Sequence, residues 1–275
     1  MAESAYITDE CRYNLPAGLT KDQLQSFPAY KVWISALTKT LNAQASPENP
    51  YHEKPYRLHG VTIQAVDRFR GGRLGFLKLT ADIRTDDGET IPGSIFMRGG
   101  SVAMLLILKA EDSSVEEEYV VLTNQPRIPA GTFSFLEIPA GMLDDSGTFT
   151  GAAAKEIEEE TGLRIEESEL INMSQLALQV SSNADPDGQQ DVLQQAIYPS
   201  PGGSDEFIPL FLVRKTMQKT EIEGLEGKLT GLRDHGEKIS LKIVRLTDAW
   251  KVAGRDAKTL SALCLYDGLR REGKL

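Results

Sequence analysis

Glu156, Glu159 and Glu160 stand at i, i+3 and i+4 in the second half of the stretch 141–163, which reads as a short helix. That spacing sends all three carboxylates out from one helix face. Like charges so placed repel and weaken a helix by about a few tenths of a kcal/mol per pair. An acidic run taken alone is commonly a solvated face. A chain that keeps three anions side by side otherwise gives them a cation to face. Carboxylate oxygens suit a hard ion such as Mg²⁺, which takes one or two of them and keeps waters for a phosphate substrate.

Other residues carry the same chemistry. Arg127, in Gln125-Pro126-Arg127-Ile128-Pro129, has a guanidinium fork that matches two phosphate oxygens, with a surface ion pair as the alternative. Glu137 is a charged residue inside an apolar run, Leu136-Glu137-Ile138-Pro139, and calls for a polar partner. Pro201-Gly202-Gly203-Ser204-Asp205-Glu206 is a glycine loop ending in two carboxylates, and on local sequence it also reads as an ordinary turn. Arg98, before Gly99-Gly100, is a weaker substrate or subunit-contact residue. His235 reads as a loop residue held by hydrogen bonds.

These groups need elements to hold them. Pro139-Ala140-Gly141 turns the chain after a short apolar strand, a polar loop follows, and Gly162 stops the acidic helix. Upstream, 1–20 reads as a polar arm, and 19–41 as helical, with Thr20 as N-cap and a break at Pro28. Residues 42–55 read as a linker. The apolar period then changes to two, giving strands at 58–66, 74–83 and 90–96 around glycine turns. Three antiparallel strands cannot bury both faces of a sheet alone, so they must pack on a following domain or a second subunit. Further strands are expected at 102–108, 119–123, 133–139, 170–180, 207–213 and 239–246. Residues 181–199 read as an inserted polar loop and 228–237 as another. Thr247 reads as the cap of a helix over 248–253, and an amphipathic helix over 256–271 closes the chain. Strands and helices without regular alternation give an α+β class, a mixed sheet between helix layers.

The 275 residues exceed one average domain. Apolar content of 40% is ordinary for a globular protein, and no apolar run is long enough to span a bilayer. The first ten residues lack the features of a secretory or transit leader, and two cysteines fit a reducing compartment. The expectation is therefore cytoplasmic. A net charge of −10 argues against broad nucleic-acid binding.

The stretch 141–163 resembles the Nudix box, G-x5-E-x7-R-E-U-x-E-E-x-G-U with U apolar. Gly141, Glu156, Ile157, Glu159, Glu160, Gly162 and Leu163 fall on its register. Gly147 stands where the first Glu belongs, with Asp144 and Asp145 nearby in the loop, and Lys155 replaces the Arg. The resemblance implies an α/β/α sandwich with a mixed sheet over 97–275, preceded by an extension, 1–96, with a helical segment and a small antiparallel sheet. From about residue 19 onward, including Gly75-Phe76-Leu77-Lys78 and 251–263, the chain is similar to plant-type ADP-sugar diphosphatases. That subgroup implies Mg²⁺ or Mn²⁺ on Glu156, Glu160, Glu159 and the Ala140 carbonyl. It implies a diphosphate contact from Arg127, a place in the substrate site for Glu137, and a water-activating Glu206 in the 200–206 loop, with Glu159 the competing base. It implies hydrolysis of ADP-glucose or ADP-ribose to AMP and a sugar phosphate, by a homodimer formed through the N-terminal sheet. UDP-glucose or another nucleoside diphosphate derivative as substrate, or a non-catalytic nucleotide-sugar sensor, are the alternatives.

Overall fold

A computed structural model of the chain describes residues 6–111, 117–143, 149–178, 192–231 and 238–275. They fall into two units. The first holds the residues up to Gly100, with 192–194 and Ser200–Phe207 added from later in the chain.

In the first unit, strand β1 (Ile7–Asn14) precedes helices α1 (Lys21–Ser26) and α2 (Pro28–Ala43). Thr20 and Gln23 cap α1 reciprocally, each side chain accepting the other's backbone N–H, at 3.2 and 3.1 Å. Pro28 opens α2, where its missing N–H costs nothing. The strands β2 (Arg57–Arg68), β3 (Leu74–Arg84), β4 (Thr90–Ile91) and β5 (Ser94–Met97) follow. The single strand expected over 90–96 is two strands, because Pro92 has no N–H for the ladder. The sheet runs β1-β2-β3-β4 with β5 also on β3. β1 lies parallel to β2, so the expected polar arm is in part a strand. Leu24, Tyr30, Ile34 and Leu41 from the helices share a core with Leu58, Val61, Leu77 and Leu79 from the sheet.

In the second unit come β6 (Ser101–Ala110), β7 (Glu118–Arg127), β8 (Thr132–Glu137), β9 (Ala140–Met142) and helix α3 (Phe149–Thr161). After them come β10 (Ile171–Asn172), α4 (Met173–Ala177), β11 (Leu210–Met217), α5 (Lys219–Glu223), β12 (Leu229–Thr230), β13 (Ile239–Arg245), α6 (Leu246–Val252) and α7 (Ala257–Arg271). The strand expected over 170–180 is cut to two residues. Asn172 accepts a hydrogen bond from the Gln175 N–H at 2.9 Å and starts α4 instead. Helix α6 starts at Leu246 after Arg245, so Thr247 lies inside it and does not cap it.

The sheet order is β10-β11-β6-β7-β13-β12, with β11 parallel to β6. β6 is central and buried on both faces, hence its unbroken apolar run. Its Ala103, Leu105 and Ile107 face α4, α6 and α7, while Val102, Met104 and Leu106 face α3 and α5. This is a mixed sheet between two helix layers, the α/β/α sandwich.

One irregularity positions the chemistry. β6 pairs with β7 only over Ile107–Lys109. Away from that end, β6 pairs with β9 and β7 pairs with β8. The two central strands part company, and Ile138-Pro139 bridges from one to the other. The Pro139 carbonyl accepts the Met104 N–H at 3.0 Å.

Candidate active site

Helix α3 lays its acidic face against β9. An added Cβ on Gly141 would lie 1.8–2.3 Å from the carboxylate atoms of Glu156, so only glycine leaves this carboxylate its place. Glu160 is 5% exposed. Its Oε2 accepts the Ala140 N–H at 3.0 Å and its Oε1 the Gln125 amide at 3.3 Å. Burial, reinforced by the charge of Glu156, pushes the Glu160 pKa up to about 8, despite the Ala140 hydrogen bond. Glu159 is more exposed and lies 3.9 Å from Lys155, a loose surface pair.

The C-terminus of α3 is tied down. Gly162, at φ +73°, donates to the Glu158 carbonyl at 2.9 Å in the left-handed turn that ends the helix. The Glu159 and Glu160 carbonyls accept from the Gly231 N–H at 3.2 Å and the Thr230 hydroxyl at 2.5 Å.

Beside this, Glu137 at the end of β8 is 1% exposed and meets two cations. Arg127 Nε donates to its Oε1 at 2.6 Å, and Lys258 Nζ to its Oε2 at 2.7 Å. Lys258 also donates to Asp256 Oδ1 at 2.8 Å. Burial by itself lowers the Lys258 pKa, but Glu137 and Asp256 together outweigh it and hold the ammonium above its ordinary value. Asp256 is the N-cap of α7; its Oδ2 accepts the Thr259 N–H at 3.0 Å and hydroxyl at 2.7 Å. Thr259 Oγ1 in turn accepts the buried Ile138 N–H at 3.1 Å. The first turn of α7 therefore grips Glu137 and Ile138.

In the first unit, Arg98 and Glu206 pair with each other, Nη1 to Oε1 at 3.0 Å. Asp205 anchors the 201–206 loop by accepting the Arg98 N–H at 2.7 Å and the Gly99 N–H at 3.1 Å. Burial raises the Asp205 pKa against those two bonds.

The structure thus brings together Glu156, Glu160 and the Ala140 backbone, and separately Arg127 with Glu137. It joins Arg98 to Glu206, two residues whose sequence neighbourhoods give no hint of each other. Asp144, Asp145, Gly147 and His235 lie outside the described residues, as does most of the 181–199 loop. Asp256 and Lys258 enter from the sequence only within the 251–263 similarity, with no role attached, and Thr259 likewise; the Glu137 partner of Lys258 and the Ile138 partner of Thr259 lie 121 residues away.

Among the described residues no group of three or more His, Cys, Asp or Glu side chains is arranged to hold a metal ion. The donor set instead fits an ion that takes one or two carboxylates and fills its shell with water or substrate oxygen, as Mg²⁺ does. Ionising Glu160 beside Glu156 would set two negative charges side by side, and such an ion would offset them.

Comparison with known proteins agrees with this architecture. The profile of the NUDIX domain matches residues 97–263. The chain is 41% identical over 218 residues to "Nudix hydrolase 14, chloroplastic" of Arabidopsis thaliana, covering 78% of this chain and 64% of that protein. It is 28% identical over 139 residues to "ADP-sugar pyrophosphatase" of Mus musculus, covering 46% and 60%. It is likewise 28% identical over 146 residues to "Methanol dehydrogenase activator" of Bacillus methanolicus, covering 53% and 62%. The chain spans about three fifths of the length of these curated relatives. A box helix closed onto the strand before it, inside a sandwich that the domain profile covers for most of its length, places this chain in the Nudix family.

Proposed function

We propose that the chain hydrolyses the diphosphate bond of ADP-sugars, ADP-glucose or ADP-ribose, to AMP and a sugar phosphate. The observation that carries the reading is the Glu156–Glu160 pair, one carboxylate buried beside another against β9. Left alone, that arrangement costs stability; it makes sense as a seat for Mg²⁺ or Mn²⁺. Glu156, Glu160, Glu159 and the Ala140 carbonyl are the assigned ligands. When bound, the ion supplies charge neutralisation to the diphosphate and acidifies water.

The remaining roles belong to side chains. Arg127, steadied by Glu137, orients the diphosphate. A general base takes the proton of the attacking water; the loop sequence favours Glu206, and Glu159 is its rival. The likeness to a mouse protein named for ADP-sugars supports the substrate class. The five-stranded sheet of the first unit is assigned to pairing with a second copy of the chain. No helix among the described residues is long and apolar enough to cross a membrane.

The test is AMP release from ADP-ribose, ADP-glucose and UDP-glucose with Mg²⁺ or Mn²⁺. Wild type is expected to release AMP from the ADP-sugars first. Glu160→Gln in excess Mg²⁺ is expected to lose about 100-fold or more, since even indirect partners of a metal are worth about 10–100-fold. A near-wild-type rate rejects the ligand assignment. Binding of ADP-ribose without AMP release makes the protein a sensor instead.

A further inference from the structure

Lys258 lies on α7, far in sequence from the box, yet it shares a carboxylate with Arg127. The two oxygens of Glu137 are divided: Oε1 takes Arg127 Nε, and Oε2 takes Lys258 Nζ. A guanidinium facing a free carboxylate normally binds it side-on, with two parallel N–H bonds. Here Arg127 reaches Glu137 through Nε alone among the described residues, and its side chain keeps 39% of its surface exposed. Lys258 is itself fixed. Its ammonium lies between Glu137 and the α7 cap Asp256, with 16% of its side chain exposed. Thr259 ties the same helix turn to the Ile138 N–H.

We propose that Lys258 is a positioning residue that occupies Glu137 Oε2, keeps Arg127 attached by Nε only, and so leaves the outer guanidinium nitrogens for a substrate diphosphate. With Lys258 removed, Glu137 offers both oxygens and Arg127 folds onto them as a two-bond pair. The guanidinium then has fewer donors for phosphate. Because Arg127 acts in binding, the loss falls mainly on KM. The inference rests on the reading of Arg127 as a diphosphate contact.

The experiment has two arms on the full-length chain. The first needs no substrate: the Nε–H signal of Arg127 in a ¹H–¹⁵N spectrum, assigned by its disappearance in Arg127→Lys. Lys258→Met keeps an unbranched side chain one atom shorter and without the charge, and is expected to move this signal and alter its exchange with water. The second is a double-mutant cycle on AMP release. Lys258→Met is expected to raise KM about tenfold with kcat within about threefold, and to add nothing in an Arg127→Ala background. If Lys258→Met does not fold, Asp256→Asn serves, since it weakens the hold on Lys258 while keeping an oxygen for the α7 cap. It is expected to move the Arg127 signal in the same direction and raise KM about threefold. An unmoved Arg127 signal overturns the proposal. So does a KM effect that adds in full to that of Arg127→Ala, which marks a merely structural lysine. If wild type releases no AMP, the proposed function fails while the Arg127 signal still decides the role of Lys258.

Discussion

Glu160 is one group through which pH acts on the metal-free protein. Its pKa in the folded chain is pushed up to about 8, above its ordinary value of 4.5. The folded state therefore holds this proton more tightly than the unfolded chain does. Below about pH 4.5 both states are protonated and the residue adds no pH dependence. As pH rises from there towards 8, the unfolded chain ionises first and the fold loses stability, on the order of a few kcal/mol across the window. We expect denaturation midpoints in EDTA to fall between pH 5 and 8 for wild type, and to fall much less for Glu160→Gln. At pH 8 the metal-free Gln variant is expected to be the more stable of the two. Equal slopes for both proteins would mean that this carboxylate does not carry the burden.

Two elements decide whether the acidic and basic groups stay in place. The contact of α3 with β9 depends on Gly141, because a methyl group there takes the space of the Glu156 carboxylate. A flexible side-chain end can move aside, so Gly141→Ala is expected to cost less than about 1 kcal/mol of stability. It is expected to weaken Mn²⁺ binding, followed by electron paramagnetic resonance, at least about tenfold. The grip of α7 on the box strand depends on Thr259, whose hydroxyl satisfies the buried Ile138 N–H. Thr259→Val keeps the shape and strands that donor. The expected loss is about 1–3 kcal/mol in urea denaturation. A loss below about 0.5 kcal/mol would show that Ile138 finds another acceptor.

At the scale of the molecule, each unit has its own hydrophobic core. The first unit includes Ser200–Phe207, a segment that lies between elements of the second in sequence. Asp205 fastens that segment by bonding the Arg98 and Gly99 N–H groups. Asp205→Ala removes both bonds, and is expected to speed proteolytic cleavage within 200–206 severalfold while leaving thermal unfolding of the second unit within a few degrees. Limited proteolysis with mass spectrometry checks the first, and calorimetry the second. Self-association through the N-terminal sheet is expected to appear as a dimer mass in light scattering. A monomer across micromolar concentrations would remove that assignment.

The sequence alone determined the short-range features. The α1 cap, the break at Pro28, the buried strand β6 and the Gly162 stop each depend on residues within a few positions of one another. The register of Glu156, Glu159 and Glu160 was legible for the same reason. Only the tertiary structure decided that β1 lies parallel to β2, and that α4 replaces most of an expected strand. The same holds for the pairing of Arg98 with Glu206 and the sharing of Glu137 by Arg127 and Lys258. Local propensity and periodicity say which face of an element is apolar, but a charged side chain's partner is chosen by what packing brings beside it. Burial then makes that choice matter, because in the interior an ionised group must find a partner or give up its charge.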